Sequence, residues 1–246
     1  MRAFLLVGLL LAPAAGAQAP GKWPPDSLVN TQVIPHGTSM TQVVGTMRNF
    51  SFDLDVRCTY CHVGEDDTPL AQVDFASDEK RNKLVARQMM LMVQEVNRRL
   101  DTIPQPGTPE VAVTCATCHR GVVRPVPLAT IISETAIAAG SDSAIRTYHA
   151  LREEYHGRDA YDFGEISLNT AAFRAARAGK IEEALALLQV NEEQFPGSTA
   201  LHISRGNIYL MRGDTTAAAE SFREALRRDS THGEARGRLR AIGREP

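Results

Sequence analysis

Two stretches of the chain repeat hydrophobic residues at the spacing of a helix. The first follows Thr38 or Ser39, either of which would serve as an N-cap. Its hydrophobic residues are Met40, Val43, Val44, Met47 and Phe50. The second follows Ser77, with Asp78 and Glu79 in a first turn where the helix dipole favours acids. Its hydrophobic residues are Val85, Met89, Met92, Val93, Val96 and Leu100. The pattern predicts two amphipathic helices that bury these faces.

The C-terminal part of the chain has a different pattern. Gly179 and Gly213 lie 34 residues apart, which is the period of tetratricopeptide repeats. With Gly206 as the repeat glycine, the expected places hold Tyr209, Ala218, Phe222 and Ala225. We predict helices over 166–178, 181–194, 199–211 and 215–228, a capping helix over 234–242 and a degenerate helix over 142–154. Alanine-rich helical hairpins without a repeat register are the alternative.

Prolines divide the chain into parts. Residues 18–37 are proline-rich and lack periodicity, which indicates an extended lead-in. Pro125 and Pro127 would interrupt a continuous helix and mark a domain boundary. Few aromatic residues and many alanines favour helix. We therefore predict an all-α protein, with one domain over 18–130 and a short tetratricopeptide-like α-solenoid over 131–246.

The N-terminus has the features of a secretory signal peptide. Arg2 precedes an apolar stretch over 3–12, and Ala15-Gly16-Ala17 resembles a cleavage site. The apolar stretch is shorter than the ~20 residues that span a bilayer. We expect residues 1–17 to be removed, which leaves a periplasmic or otherwise exported chain without a transmembrane span.

Charge and motif content exclude several classes of protein. The formal net charge is −2, and the arginines are scattered among acids without a basic block, so nucleic-acid binding is not expected. No phosphate-binding loop, Ser/His/Asp order or paired-carboxylate motif has supporting context.

All four cysteines of the chain lie in two C-x-x-C-H motifs. The motifs are Cys58-Thr59-Tyr60-Cys61-His62 and Cys115-Ala116-Thr117-Cys118-His119. This pattern is the signature of covalent c-type haem attachment. Two thiols three positions apart can reach the vinyl groups along one porphyrin edge, and the next residue places an imidazole under the iron. We therefore predict two covalently attached haems c, with His62 and His119 as proximal iron ligands.

Two other kinds of site use C-x-x-C pairs. A dithiol redox centre usually sits in a βαβ setting, whereas the flanks here look helical. A Cys₄ zinc site usually separates its pairs by about 15–20 residues, and nearly three times that separates Cys61 from Cys115. Neither alternative explains the histidine after each pair.

The sixth iron ligand has several candidates. Met or His commonly fills this position in c-type cytochromes, and a methionine-bearing helix precedes each motif. For the first haem, Met47 lies closer to the turn into the motif than Met40. For the second, Met89 and Met92 share a helix face, while Met90 points about 100° away. Three arginines near these positions are either partners of haem propionates or ordinary solvated side chains, namely Arg57, Arg87 and Arg120.

Residues 33–127 resemble one half of the tetrahaem cytochrome subunit of photosynthetic reaction centres. That family repeats a helix with an axial methionine, a turn and a C-x-x-C-H helix. Its first unit is matched by Met47-Arg48-Asn49-Phe50 leading to the first motif. Its second unit is matched by Ala86-Arg87-Gln88-Met89, Met92, Val96-Asn97 and Val113 through Gly121. The resemblance implies Met47 and Met89 as the sixth ligands and Met92 as a packing residue.

The chain departs from that family by having two haem motifs, no cysteine for a lipid anchor and an added repeat domain. We expect an electron-transfer protein, not an enzyme, that passes electrons between redox partner proteins through two six-coordinate haems. The repeats would bind a partner or a second copy of the chain. Two alternatives stay open. One is a dihaem enzyme such as a peroxidase, and the other is a repeat protein with structural or sensory haems.

Overall fold

The structure is a computed structural model that describes residues 22–104 and 111–245. Regular structure in these ranges is helical, and extended pairing there is limited to one antiparallel bridge between Val63 and Asp74. The all-α prediction is therefore confirmed. The chain divides into two compact units, one ending at Thr117 and one beginning at Cys118. The signal peptide predicted over 1–17 lies outside the described residues.

Helix α1 (Met40–Leu54) begins where the sequence predicts. Ser39 is its N-cap, and its side chain accepts a hydrogen bond from the Gln42 backbone N–H. The Gln42 side chain in turn accepts from the Ser39 backbone N–H, which completes a capping box. The helix ends at Asp55, whose φ of 51° is left-handed. A 3₁₀ turn over Cys58–Tyr60 follows.

Helix α2 (Arg81–Leu100) begins later than predicted. Lys80, not Ser77, stands at the N-cap. Asp78, which was expected in the first turn, forms ion pairs with Lys83 and Arg87 at N···O distances of 3.1 and 2.8 Å. The predicted start was wrong because these pairs hold the carboxylate outside the helix.

The hydrophobic face predicted for α2 is only partly buried by the polypeptide itself. On this face, more than a third of the residue surface is exposed at each of Val85, Met89, Met92 and Val96. The opposite side of the helix packs instead around a cavity, with Lys83, Ala86, Arg87 and Met90 in the cavity wall. The hydrophobic period identified the helix but not the side that this unit covers.

The second unit is a series of helices that pack mainly on their neighbours in sequence, as α6 does on α7 and α8 on α9. Its helices are α4 (Leu128–Ala139), α5 (Ser141–Tyr155), α6 (Glu165–Arg177), α7 (Ile181–Gln194), α8 (Thr199–Arg212), α9 (Thr215–Arg228) and α10 (Gly233–Ala241). The preceding short helix α3 (Cys115–His119) spans the division between the units. Alanines and leucines form most of the buried core.

The sequence predicts most of these helices closely. The bounds of α7 and α9 are the predicted ones. Helix α8 ends one residue later than predicted, and α5, α6 and α10 differ from the prediction by one residue at both ends. The sequence did not predict α4, which follows Pro127 and has no side-chain cap. The domain boundary at residue 130 stays a prediction. No helix among the described residues combines the length and apolarity that crossing a bilayer requires.

Gly206 marks a close approach between α8 and α9. A Cβ atom at this glycine would lie 2.5 Å from Cε1 of Phe222, well inside contact distance. Glycine therefore lets the two helices meet at the position taken as the repeat glycine. Phe222 itself is fully buried. This contact agrees with the helical-pair interpretation, while the tetratricopeptide register stays a prediction.

Candidate haem sites

The first C-x-x-C-H motif folds as a tight turn. The backbone N–H groups of Cys61 and His62 both donate to the Cys58 carbonyl, at 3.2 and 3.0 Å. This turn places all three side chains on the wall of one cavity. The bridge between Val63 and Asp74 closes the loop behind the motif. The structure thus brings together the three residues that the motif predicts for the first site.

The cavity has a volume of about 1070 Å³. This volume is slightly above the range of about 300–1,000 Å³ for small-molecule and cofactor sites. Much of its wall comes from hydrophobic residues of α1, namely Met40, Val43, Val44, Met47, Phe50 and Leu54. The lead-in closes another side with residues from 22 to 34. Met47 therefore shares this cavity with Cys58, Cys61 and His62, as the ligand assignment requires.

The environment of His62 suits an iron ligand. Burial, followed by the positive charge of Lys83, lowers the pKa of His62 to about 4, while the Phe75 backbone and the Asp74 carboxylate oppose that shift. The imidazole is therefore neutral at pH 7 and keeps a lone pair for a metal. Its Nδ1 is buried without a hydrogen-bond partner. A hydrophobic cavity, two thiols and a neutral imidazole together fit a covalently bound haem.

The N-terminal part of α2 holds the first motif in place. The Lys80 ammonium donates to the carbonyls of Thr59 and Gly64, and the Asn82 amide donates to the carbonyl of Tyr60 at 3.1 Å. These bonds tie α2 to the backbone inside and just after the motif. No residue pattern signals these bonds, because the partners are backbone atoms about 20 residues away.

Two of the three arginines considered as propionate partners are engaged in other contacts. Arg87 lines the cavity, but its guanidinium donates to Asp78 at 2.8 Å and to the Asn30 carbonyl at 3.0 Å. Arg57 donates to the Asp66 carbonyl. The pairing of these arginines with propionates stays a prediction.

The second motif forms the short helix α3. His119 contacts the Val122 carbonyl through Nδ1 at 2.9 Å. With the proton on Nδ1, this bond would leave Nε2 free to coordinate a metal and would fix the ring orientation. After His119 the chain turns through Arg120 and Gly121, both with positive φ, of 51° and 85°.

Asn97 connects α2 to the segment that leads into the second motif. Its amide donates to the Val113 carbonyl at 2.9 Å, and its side-chain oxygen accepts from the Val113 backbone N–H at 2.7 Å. This pair of bonds fixes the approach of the chain two residues before Cys115. The sequence had drawn attention to Asn97 only through the family resemblance, and its positioning role is visible in the structure.

The methionines of α2 point in different directions. Met90 lines the first cavity, which the sequence analysis did not anticipate. Met89 and Met92 lie on another face, where they are 40% and 51% exposed. Two neighbouring residues of one helix thus face different surroundings, as the rotation of about 100° per residue requires. This placement leaves Met89 and Met92 as the candidates from α2 for a second site.

Among the described residues, no disulfide bond links any of the four cysteines. Burial raises the pKa of the Cys61 thiol, against the opposing charge of Lys80. Within the ranges that the structure describes, no three His, Cys, Asp or Glu side chains cluster as ligands for a metal ion.

Comparison with known proteins identifies the family of this chain. Residues 26–152, which include both motifs and helices α1 and α2, match the family described as photosynthetic reaction centre cytochrome C subunit. The chain belongs to this family. The cofactor of this cytochrome family is covalently bound haem c.

Two curated members of the wider group show how far the similarity extends. The chain is 36% identical over 107 residues to cytochrome c-554 of Chloroflexus aurantiacus, covering 42% of this chain and 23% of the relative. It is 41% identical over 64 residues to the photosynthetic reaction center cytochrome c subunit of Roseobacter denitrificans, covering 26% and 16%. The matched segment thus spans less than a quarter of each relative. No solved structure gives a significant match.

The methionine assignment predicts distinct effects of three substitutions. Met47→Ala and Met89→Ala should each remove the methionine–iron charge-transfer band of one haem and lower its reduction potential, because a thioether ligand favours the reduced iron. Met92→Ala, the matched control beside Met89, should keep both haems low spin. Near-infrared spectra of the oxidised proteins measure this directly. Loss of the band in Met92→Ala but not in Met89→Ala would reverse the assignment.

Proposed function

We propose that this protein is an exported dihaem c-type cytochrome that carries electrons between two redox partner proteins. The observation that supports this most directly is the first cavity, where Met47, Cys58, Cys61 and His62 share one largely hydrophobic wall. Family membership supports the cytochrome assignment. The number of haems and the ligand set rest on the two motifs and on the placement of these side chains.

The side chains of the first site have separate roles. Cys58 and Cys61 would hold the cofactor through two thioether bonds, and His62 and Met47 would supply ligands to its iron. Bound haem c supplies a one-electron couple between Fe³⁺ and Fe²⁺. The hydrophobic residues of α1 exclude water from the cavity, which disfavours the extra positive charge of the oxidised form. This chain therefore contributes attachment, ligation and control of the potential.

The second site follows the same plan. Cys115 and Cys118 would attach the second haem, and His119 and Met89 would supply ligands to its iron. The bond between His119 and Val122 supports this role because it orients the imidazole. The exposed hydrophobic face of α2 around Met89 supports it as well, since such a face suits an apolar cofactor.

Six-coordinate iron separates this function from the main alternative. A peroxidase-like dihaem enzyme needs one iron with an open position for its substrate. In the first cavity Met47 lines the same wall as His62, and Met40 and Met90 also line the cavity. Three thioether side chains favour a closed, electron-transferring site over an open catalytic one.

The C-terminal helices are proposed to form the docking part of the molecule. Their successive packing resembles an α-solenoid, an architecture that presents an extended surface to protein partners. We infer that residues 131–246 bind a redox partner or a second copy of the chain.

Sedimentation velocity over a concentration series should show self-association in the full chain and not in a chain ending at residue 130. Equal behaviour of the two would contradict self-association.

Intact mass tests the core of this proposal. After acid–acetone extraction, the exported protein should retain the mass of the polypeptide plus two haems, because thioether bonds survive this treatment. Replacing Cys58 and Cys61 together by Ala should remove one haem, and replacing Cys115 and Cys118 should remove the other. Export itself is checked by the N-terminal sequence of the mature chain. A bare polypeptide mass, or bound zinc in place of haem, would overturn the assignment.

A further inference from the structure

Lys83 is a buried cation in the wall of the first cavity. The residue is 8% exposed, although it lies near the start of α2 and carries a charge. Its ammonium donates to three consecutive backbone carbonyls, those of Phe75, Ala76 and Ser77, at 2.9, 2.9 and 2.7 Å. Attachment of haem, as described above, requires none of these contacts.

These bonds fix the shape of the loop before α2. A buried ammonium is costly unless its donors are paired, and here three carbonyls and the Asp78 carboxylate at 3.1 Å surround it. Three successive carbonyls can converge on one nitrogen only if the backbone curls around it. Lys83 therefore determines the path of residues 75–77 in the way that a bound cation would.

The loop carries an aromatic ring that packs on His62. The centroid of the Phe75 ring lies 4.9 Å from that of the His62 imidazole. The same ring also contacts Trp23, at a centroid distance of 4.7 Å. A change at Lys83 would thus reach His62 through the backbone and side chain of Phe75. It would also move the surroundings of Trp23, the single tryptophan of the chain.

The charge of Lys83 acts on the same site. Buried charges are screened less than exposed ones, so a cation in the cavity wall favours the state of the site with less positive charge. For a haem iron that state is Fe²⁺. The ammonium donates to the Phe75 carbonyl and the Phe75 ring packs on the imidazole of His62, so the field of this charge acts close to the site. Asp78 partly offsets this field and holds Arg87 beside it.

We propose that Lys83 is a positioning and charge-setting residue for the first haem, holding Phe75 against His62 and raising the reduction potential of that haem. This inference rests on the proposed function at Cys58, Cys61 and His62. It adds a residue outside the haem motif and outside the set of iron ligands.

Lys83→Met and Asp78→Asn, made in the full holoprotein, test the proposal with effects of opposite sign. Lys83→Met keeps the hydrophobic stem and removes the charge and its three hydrogen bonds. Asp78→Asn keeps Lys83 and removes its counter-charge. Arg81→Met is the matched control, since it removes one exposed charge from the same helix. Lys83→Arg should restore much of the charge effect.

The readouts are a spectroelectrochemical titration and the fluorescence of Trp23. In Lys83→Met, the ratio of reduced to oxidised iron at a fixed applied potential should fall about tenfold for one haem, a downward shift of about 59 mV for a one-electron couple. Asp78→Asn should shift the same haem upward. Trp23 emission should change in Lys83→Met, because the loop moves relative to the ring, and Arg81→Met should match the wild type in both measurements.

The outcomes separate this proposal from the proposed function. If intact mass shows two haems in Lys83→Met and its potentials and Trp23 emission equal those of Arg81→Met, the role of Lys83 is wrong while the dihaem assignment stands. If Lys83→Met does not mature, the Asp78→Asn variant provides the test. An unchanged or lowered reduction potential of the first haem in Asp78→Asn would overturn the proposal. If the wild type carries no haem at Cys58 and Cys61, the proposed function itself fails.

Discussion

The first unit is organised around a hydrophobic cavity, not around a closed core. Among its described residues, the buried hydrophobic side chains are Val43 and Val73, whereas the second unit buries two clusters of hydrophobic residues. Most hydrophobic residues of α1 face the cavity of about 1070 Å³. Removing such side chains from water is the main favourable term in folding. A haem in this cavity would therefore complete the core of the unit as well as carry electrons.

Polar contacts from α2 supply the frame around that cavity. Lys80, Asn82 and Lys83 lie within one turn and donate to the carbonyls of two separate loops, one in the first motif and one before the helix. Farther along the same helix, Asn97 holds the approach to the second motif. One helix thus positions both haem motifs, and in the proposal it also provides Met89 to the second haem.

Sequence reasoning succeeded where local chemistry decides the structure. The capping box at Ser39 and the amphipathic period of α7 and α9 depend on neighbouring residues, and these helices were predicted closely. It failed where contacts outside the helical pattern decide. Asp78 lies before the helix because it forms ion pairs with Lys83 and Arg87. The role of Lys83 depends on backbone carbonyls, which leave no mark in a residue pattern.

Amide hydrogen exchange tests most directly whether the haem is the core of the first unit. The holoprotein would be compared with the variant in which Cys58 and Cys61 are both replaced by Ala. We expect amides of α1 and of the first half of α2 to exchange on the order of 100-fold faster in the variant, while α6 to α9 keep their protection. Equal protection of α1 in both proteins would contradict the account, because the unit would then have a stable core without the cofactor.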